Sequence, residues 1–490
     1  MPLETEVRKL LFKLADLKPE VVLGPQQTRV AEKVKALPPN TGMLVYHGLG
    51  SGKTLASIAA AEGIGGKKTV VVPAALRENY KKDLTKFRGE GEDYGITSYS
   101  KAVRTGAVDP GDITVFDEAH RMGRPESALS KLPEMAAGKK VLLTGTPVRN
   151  DPSEIVPLLK AIAPDRAVPK TKEEFEQQFI EYKPRQQGWV DWIRGIDPGV
   201  EPTLKNTGVL KQLMAGRVDY HPSSGEFPNK HEQDIEVNMS SPQTDLYRGL
   251  MATDPTLEYK VRHNLPPTKA EAIRLNSFLN AVRQVSNNPA SYSTAFGGDP
   301  FEHSPKLQRM HHEINKHMSA DPNFRGVVYS NYLDSGIKPL ASKLSAAGIS
   351  NAVFTGEIGD KERRKMVEAY NQGKIKVLLI SGAGAEGLDL KGTKLVQVME
   401  PHWNNARIDQ VVGRAVRHKS HAHLPENERH VKVQRFYAVP AQGWMERLGL
   451  ADPDIGSDRY MQNRSSEKQH LVDQLLQVMR DAGTPRKAVR

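Results

Sequence analysis

MLVYHGLGSGKT, residues 43–54, decides the fold. Its first four residues, Met43 to Tyr46, are apolar or aromatic and read as a short buried strand. Three glycines at alternate positions follow, Gly48, Gly50 and Gly52, and then Lys53 and Thr54 open an Ala-rich helical stretch. A strand, a glycine-rich turn and a helix that begins on lysine form a cradle for phosphate. Backbone N–H groups of Gly48, Gly50, Ser51 and Gly52 can wrap its oxygens, and the helix N-terminus adds positive potential. In such a loop Lys53 reaches the β- and γ-phosphates and the Thr54 hydroxyl binds Mg²⁺, so ATP and Mg²⁺ are the expected cofactors. The strict pattern carries glycine where this chain has His47.

Outward from this loop, residues 69–72 (TVVV), 113–116 (ITVF) and 141–143 (VLL) read as further short buried strands of a parallel sheet. Asp117-Glu118-Ala119-His120 follows the second of these. Carboxylates at the C-terminal end of a parallel strand sit at the usual ligand edge. Asp117 is suited to hold Mg²⁺ and Glu118 to orient or deprotonate the attacking water. Thr144 and Thr146, in the turn LTGTP at 143–147, are small hydroxyl residues able to relay hydrogen bonds. From about Asp151 to Pro305 strands are hard to find, whereas 173–182 and 269–285 look helical. The α/β alternation returns after Lys306, with strands at 326–329, 377–380 and 395–398 and helices at 335–347 and 360–371. The tail from Asp452 is polar and holds a helix near 467–480. The expected plan is a first α/β lobe over 1–165, a mostly helical insert over 166–305, a second lobe over 306–450 and a helical tail over 451–490.

The 490 residues exceed what one core organises, and the ordinary balance of 38% hydrophobic and 26% charged residues argues against wholesale disorder. No apolar run is long enough to span a bilayer. The N-terminus lacks a signal-peptide pattern and reads as an amphipathic helix, and the chain has no cysteine. Disulfides and thiolate zinc sites are thereby excluded, and a cytoplasmic location, host cytoplasm for a viral protein, is expected. A net charge of +11 favours a polyanionic partner. His311, His312, Glu313 and His317 look metal-like, but Lys316 stands where an HExxH motif needs its second histidine.

The order HGLGSGKT, DEAH, TGTP resembles the motor core of superfamily 2 helicases and translocases. LLTGTPVRN at 142–150, continued by Glu154, Ile155, Leu158 and Leu159, resembles the Swi/Snf-like branch. LGPQQ at 23–27 resembles the adenine-reading glutamine motif, with Gln27 as reader. VRQVSNNP at 282–289 resembles the stretch before the second lobe. GAGAEGLD at 382–389, with Gly387 and Asp389, is similar to motif V. QVVGRAVR at 410–417 is similar to motif VI, whose Gln410, Arg414 and Arg417 would take part in catalysis, the arginines as fingers on the γ-phosphate. The resemblance is nearest to tailed-phage branch-migration helicases and large-DNA-virus helicases. It implies an α/β fold of two tandem RecA-like parallel-sheet lobes with the insert between them, and coupling of the ATP site to the second lobe through His120, Thr144 and Thr146.

It also implies a DNA partner, forked or branched, with RNA the weaker expectation, no membrane, and replication or recombination proteins as candidate partners. Candidate nucleic-acid contacts are Arg77, Thr97, Ser98, Lys101 and Thr355, with Trp189 and Trp192 as a stacking or strand-separating pair or as insert core. The leading expectation is an ATP-dependent DNA helicase. The alternatives are a duplex translocase without strand separation and a nucleotide-gated DNA-binding scaffold.

Overall fold

The computed structural model describes residues 17–48, 50–89, 91–186, 197–223, 227–382, 388–403, 405–416, 420–450 and 453–484. It falls into two units. One comprises Met1–Tyr182, Pro202–Gly225 and Lys468–Arg490, and the other Lys183–Glu201 and Glu226–Glu467.

The first unit is built on strands β1 (Gly42–His47), β2 (Lys68–Val72), β3 (Tyr94–Ser98), β4 (Ile113–Asp117) and β5 (Lys139–Thr144). Two short strands, β6 (Ile180–Pro184) and β7 (Val200–Leu204), pair with each other, and β8 (Val218–His221) returns to the main sheet. Its order is β3-β2-β4-β5-β1-β8, with every pairing parallel. All six residues of β1 and all five of β2 are buried, because helices cover both faces. Side chains alternate between two cores. Met43, Val45, Val70, Val72 and Val115 pack against helices Pro25–Lys35, Lys53–Ile64 and Arg77–Phe87. Leu44, Tyr46, Val71, Phe116 and Leu142 pack on the other face against helix Ile155–Ile162. Leu471, Val472, Leu475 and Met479, from the long C-terminal helix Gly456–Gly483, join that second core.

The second unit repeats the plan with β9 (Asn229–Asn238), β10 (Gly326–Ser330), β11 (Asn351–Phe354), β12 (Val377–Ser381), β13 (Leu395–Val398) and β14 (His430–Val439). The order is β11-β12-β10-β13-β14-β9, again wholly parallel. Helices Pro305–Ala320 and Lys338–Ala346 cover one face. Helices Asp360–Asn371 and Asn405–Ala415 cover the other. A separate helical core gathers Tyr247, Leu257, Leu275, Leu279 and Val282. Two tandem parallel-sheet lobes are therefore present, as expected.

The stretch 166–305 is mostly helical and also carries strands that the sequence did not disclose. It is helical at Ser241–Met251, Pro255–Arg262 and Lys269–Asn287, but it also supplies β6 to β9. β8 completes the first sheet and β9 completes the second. Both are edge strands and both are polar. A polar edge protects against pairing with other chains, and it hides the strand from a search for apolar runs.

Candidate nucleotide site

The phosphate loop leaves the C-terminal end of β1. Gly50 and Gly52 both take φ 76°, a left-handed conformation that favours glycine, and Gly52 caps the helix Lys53–Ile64. Ser51 Oγ donates to Gly48 O at 2.8 Å, which tightens the turn. The Lys53 ammonium donates to His47 O and Gly48 O, both at 3.1 Å, so it rests on carbonyl oxygens that phosphate oxygens can replace. Burial lowers its pKa, and the charges of Glu118 and Asp117 pull it back up. The TGTP turn meets the same point, since a Cβ added to Gly145 would lie 3.7 Å from Lys53 Nζ and 3.4 Å from His47 O.

Asp117 ends β4, beside β5 and one strand from β1. Tyr99 Oη donates to its carbonyl at 2.8 Å. Burial first, and then the charge of Glu118, raise its carboxyl from 3.8 to about 6, although the Glu118 N–H donates to Oδ1 at 2.9 Å and Lys53 is near. Glu118 itself sits at φ 53°, a left-handed conformation that costs a non-glycine residue roughly 1–2 kcal/mol. That turn directs its side chain outward, where it is 37% exposed and open to water. His120 Nδ1 lies 3.3 Å from Glu118 Oε2 and 3.0 Å from Thr144 Oγ1. The Thr146 N–H donates to Thr144 Oγ1 at 3.1 Å, and Arg149 Nε donates to Thr146 Oγ1 at 3.3 Å. Burial, with the charges of Arg149, Arg121 and Lys53, lowers His120 to about 3, so its ring is neutral at pH 7. A continuous polar chain thus runs from the candidate base to the TGTP turn and on to Arg149.

Gln27 and the loop are in direct contact. Its Nε2 donates to Ser51 O at 2.9 Å, and a Cβ on Gly52 would lie 2.7 Å from that nitrogen. Gln27 is 5% exposed, and its Oε1 is buried with no hydrogen-bond partner among the described residues. An orphaned acceptor is costly, and an adenine amino group would satisfy it. The glycine cradle, the partly buried Lys53, the Thr54 and Asp117 oxygens and this orphaned oxygen together fit ATP with Mg²⁺.

The departure at His47 has a cause that sequence reading missed. The ring is fully buried, and its Nε2 lies 2.7 Å from Oδ1 of Asp219, on β8. Arg29 and Lys33, on the Gln27 helix, each donate to the same carboxylate at 2.7 Å. Burial alone would raise Asp219, but the hydrogen bonds from His47, Arg29 and Lys33 hold it well below the usual carboxylate range. Asp219 escaped notice because VDYH reads as polar. The only signal was an acid inside a short segment bounded by Gly216 and Pro222.

The other candidates are dispersed. Arg77 is half-exposed at the start of helix Arg77–Phe87, beside Glu78. Thr97 is buried in β3, whereas Lys101 is exposed and Ser98 caps helix Tyr99–Thr105 by accepting the Lys101 N–H. In the second unit, the Thr355 carbonyl accepts from Arg363 at 3.1 Å and the Asp389 carbonyl accepts from Asn371 at 2.9 Å. Gln410 and Arg414 lie on helix Asn405–Ala415. Gly387, Arg417, Trp189 and Trp192 fall outside the described residues.

The family model described as SNF2-related domain matches residues 94–291, and that described as helicase conserved C-terminal domain matches residues 305–419. An Acanthamoeba polyphaga mimivirus protein described as an ATP-dependent RNA helicase is 28% identical, over 94% of this chain and 97% of its own. An African swine fever virus protein described as a termination factor NPH-I homolog is 22% identical, over 88% of this chain and 74% of its own. The solved Sulfolobus solfataricus SWI2/SNF2 ATPase core in complex with dsDNA aligns over 95% of this chain and 98% of that one, at 18% identity and a TM-score of 0.35.

Proposed function

We propose, since the chain belongs to the SNF2-related helicases, that it is an ATP-driven motor that moves along DNA and remodels forked or branched substrates in replication, recombination or repair. The observation that carries the reading is the gathering of Lys53, Asp117 and Glu118 at one sheet edge, with the polar chain from Glu118 through His120 to Thr144. Lys53 binds the transferred phosphate, and Thr54 with Asp117 forms the metal seat. Bound Mg²⁺ would neutralise charge on the phosphate oxygens. Glu118, whose side chain is open to water, aims the attacking water and takes its proton. His120, neutral at pH 7, links Glu118 to the TGTP turn through a polar contact to Glu118 and a hydrogen bond to Thr144. Arg414 and Arg417 are the candidate arginine fingers, and the net charge of +11 supports a polyanionic track.

A second reading, a duplex translocase that displaces proteins or a polymerase, is favoured by one finding, the description of the swine fever virus relative as a termination factor. The mimivirus relative's description as an RNA helicase makes RNA a necessary control. The test is ATPase against single-stranded, duplex, forked and four-way-junction DNA and RNA, with unwinding and triplex displacement in parallel. Forked or branched DNA is expected to stimulate most. Triplex displacement without unwinding establishes the second reading, and stimulation by RNA alone refutes both.

A further inference from the structure

We propose that Asp219 is a positioning residue that locks the Gln27 helix to the phosphate loop and so sets the preference for adenine over guanine. The inference rests on the ATP reading above. Asp219 lies on β8 with its side chain fully buried. Its Oδ2 accepts from Arg29 Nε and from Lys33 Nζ, both at 2.7 Å. Its Oδ1 accepts from Arg29 Nη2 at 2.9 Å and from His47 Nε2 at 2.7 Å. The donors come from the two pieces of chain that the ATP reading assigns to the nucleotide. Arg29 and Lys33 belong to the helix Pro25–Lys35 that carries Gln27, and His47 is the last residue of β1, next to Gly48.

The two pieces are joined a second time, where Gln27 Nε2 donates to Ser51 O at 2.9 Å. With one joint, the helix could pivot on the loop. With two, the distance between the orphaned Gln27 Oε1 and the phosphate cradle is fixed. The segment after Asp219 adds to the hold. Gly48 N donates to His221 O at 2.9 Å, and a Cβ on Gly48 would fall 2.3 Å from Ser223 N. This explains histidine at the first loop position. Glycine there would leave β1 without a side chain to reach Asp219.

A clamp of this kind acts on base reading more than on chemistry. Guanine presents an acceptor where adenine presents an amino group, so discrimination depends on holding Oε1 in place. Steady-state hydrolysis of ATP and of GTP by the full chain provides the test, with thermal denaturation alongside. For Asp219→Asn, KM for ATP should rise about tenfold while kcat stays within about threefold, and the ATP/GTP ratio of kcat/KM should fall about tenfold. Arg29→Ala, at a side chain 24% exposed, should act in the same direction and decides the matter should Asp219→Asn fail to fold. Arg29→Lys should restore at least half of the preference. Equal losses on ATP and GTP, with the ratio unchanged, would reduce Asp219 to a support of the fold and overturn the proposal. A wild-type chain that hydrolyses both nucleotides equally overturns it together with the adenine reading of Gln27. Absence of any hydrolysis overturns the ATP reading itself.

Discussion

Replacing Asp117 by asparagine should make the nucleotide-free protein more stable while removing its activity. The carboxyl is held at about 6 against an ordinary 3.8. A folded-state value above the unfolded one means that the protonated acid stabilises the fold. That contribution is complete below about pH 4 and is lost as pH rises through about 6. At pH 7.5 the ionised Asp117 therefore weighs against folding. About two pKa units correspond to about 3 kcal/mol at most, since each unit is worth 1.36 kcal/mol. Asparagine keeps an oxygen to accept the Glu118 N–H and removes the poorly solvated charge, while forgoing the attraction to Lys53. A net gain of about 1–3 kcal/mol remains, which is several degrees in the melting of a unit this size. The assay is thermal denaturation of wild type and Asp117→Asn from pH 4 to 8 without nucleotide, repeated with Mg²⁺ and ATP. The variant should gain over wild type as pH rises through 6, and Mg²⁺ with ATP should erase the gap by stabilising wild type alone. A variant no more stable than wild type at pH 7.5, or a gap independent of pH, would refute the reasoning.

Glu118→Gln should bind ATP with near wild-type affinity and lose about 10²–10⁴-fold in kcat, measured by nucleotide binding beside steady-state turnover. Thr144→Val deletes the hydroxyl that links His120 to Thr146, so DNA-stimulated ATPase should fall about tenfold while ATP affinity holds, and Thr144→Ser should recover most of it. Trp189→Ala with Trp192→Ala should impair forked-DNA unwinding more than DNA-independent ATPase. Equal loss of both with a lowered melting temperature assigns the tryptophans to core packing.

Much of the site was legible because it is local. Strand, glycine turn and Lys53 lie within a dozen residues, and DEAH and TGTP each follow their own strand. Their meeting could be anticipated because parallel strands bring their C-terminal ends to one edge. What could not be read depends on distant pairing. His47 and Asp219 are 172 residues apart, and a polar strand between helices gives no periodic signal for its partner. β9 was hidden in the same way, since NKHEQDIEVN carries mostly exposed polar side chains while its backbone pairs with β14 along its length. Thr97, a candidate nucleic-acid contact in the sequence, is a buried strand residue, and YGITS is too short and mixed to declare itself a strand.

The late return of β8 bears on how the protein is made. A ribosome synthesises the phosphate loop early, yet the strand that flanks it and the carboxylate that receives His47 emerge long afterwards. Leu475 and Met479, buried in the same core, emerge later still. The nascent nucleotide site therefore waits, with the apolar strand β1 unprotected on one side, until β8 has left the tunnel. Synonymous changes that slow translation downstream of His221, once β8 has cleared the tunnel, should raise the yield of soluble protein by giving β8 time to dock.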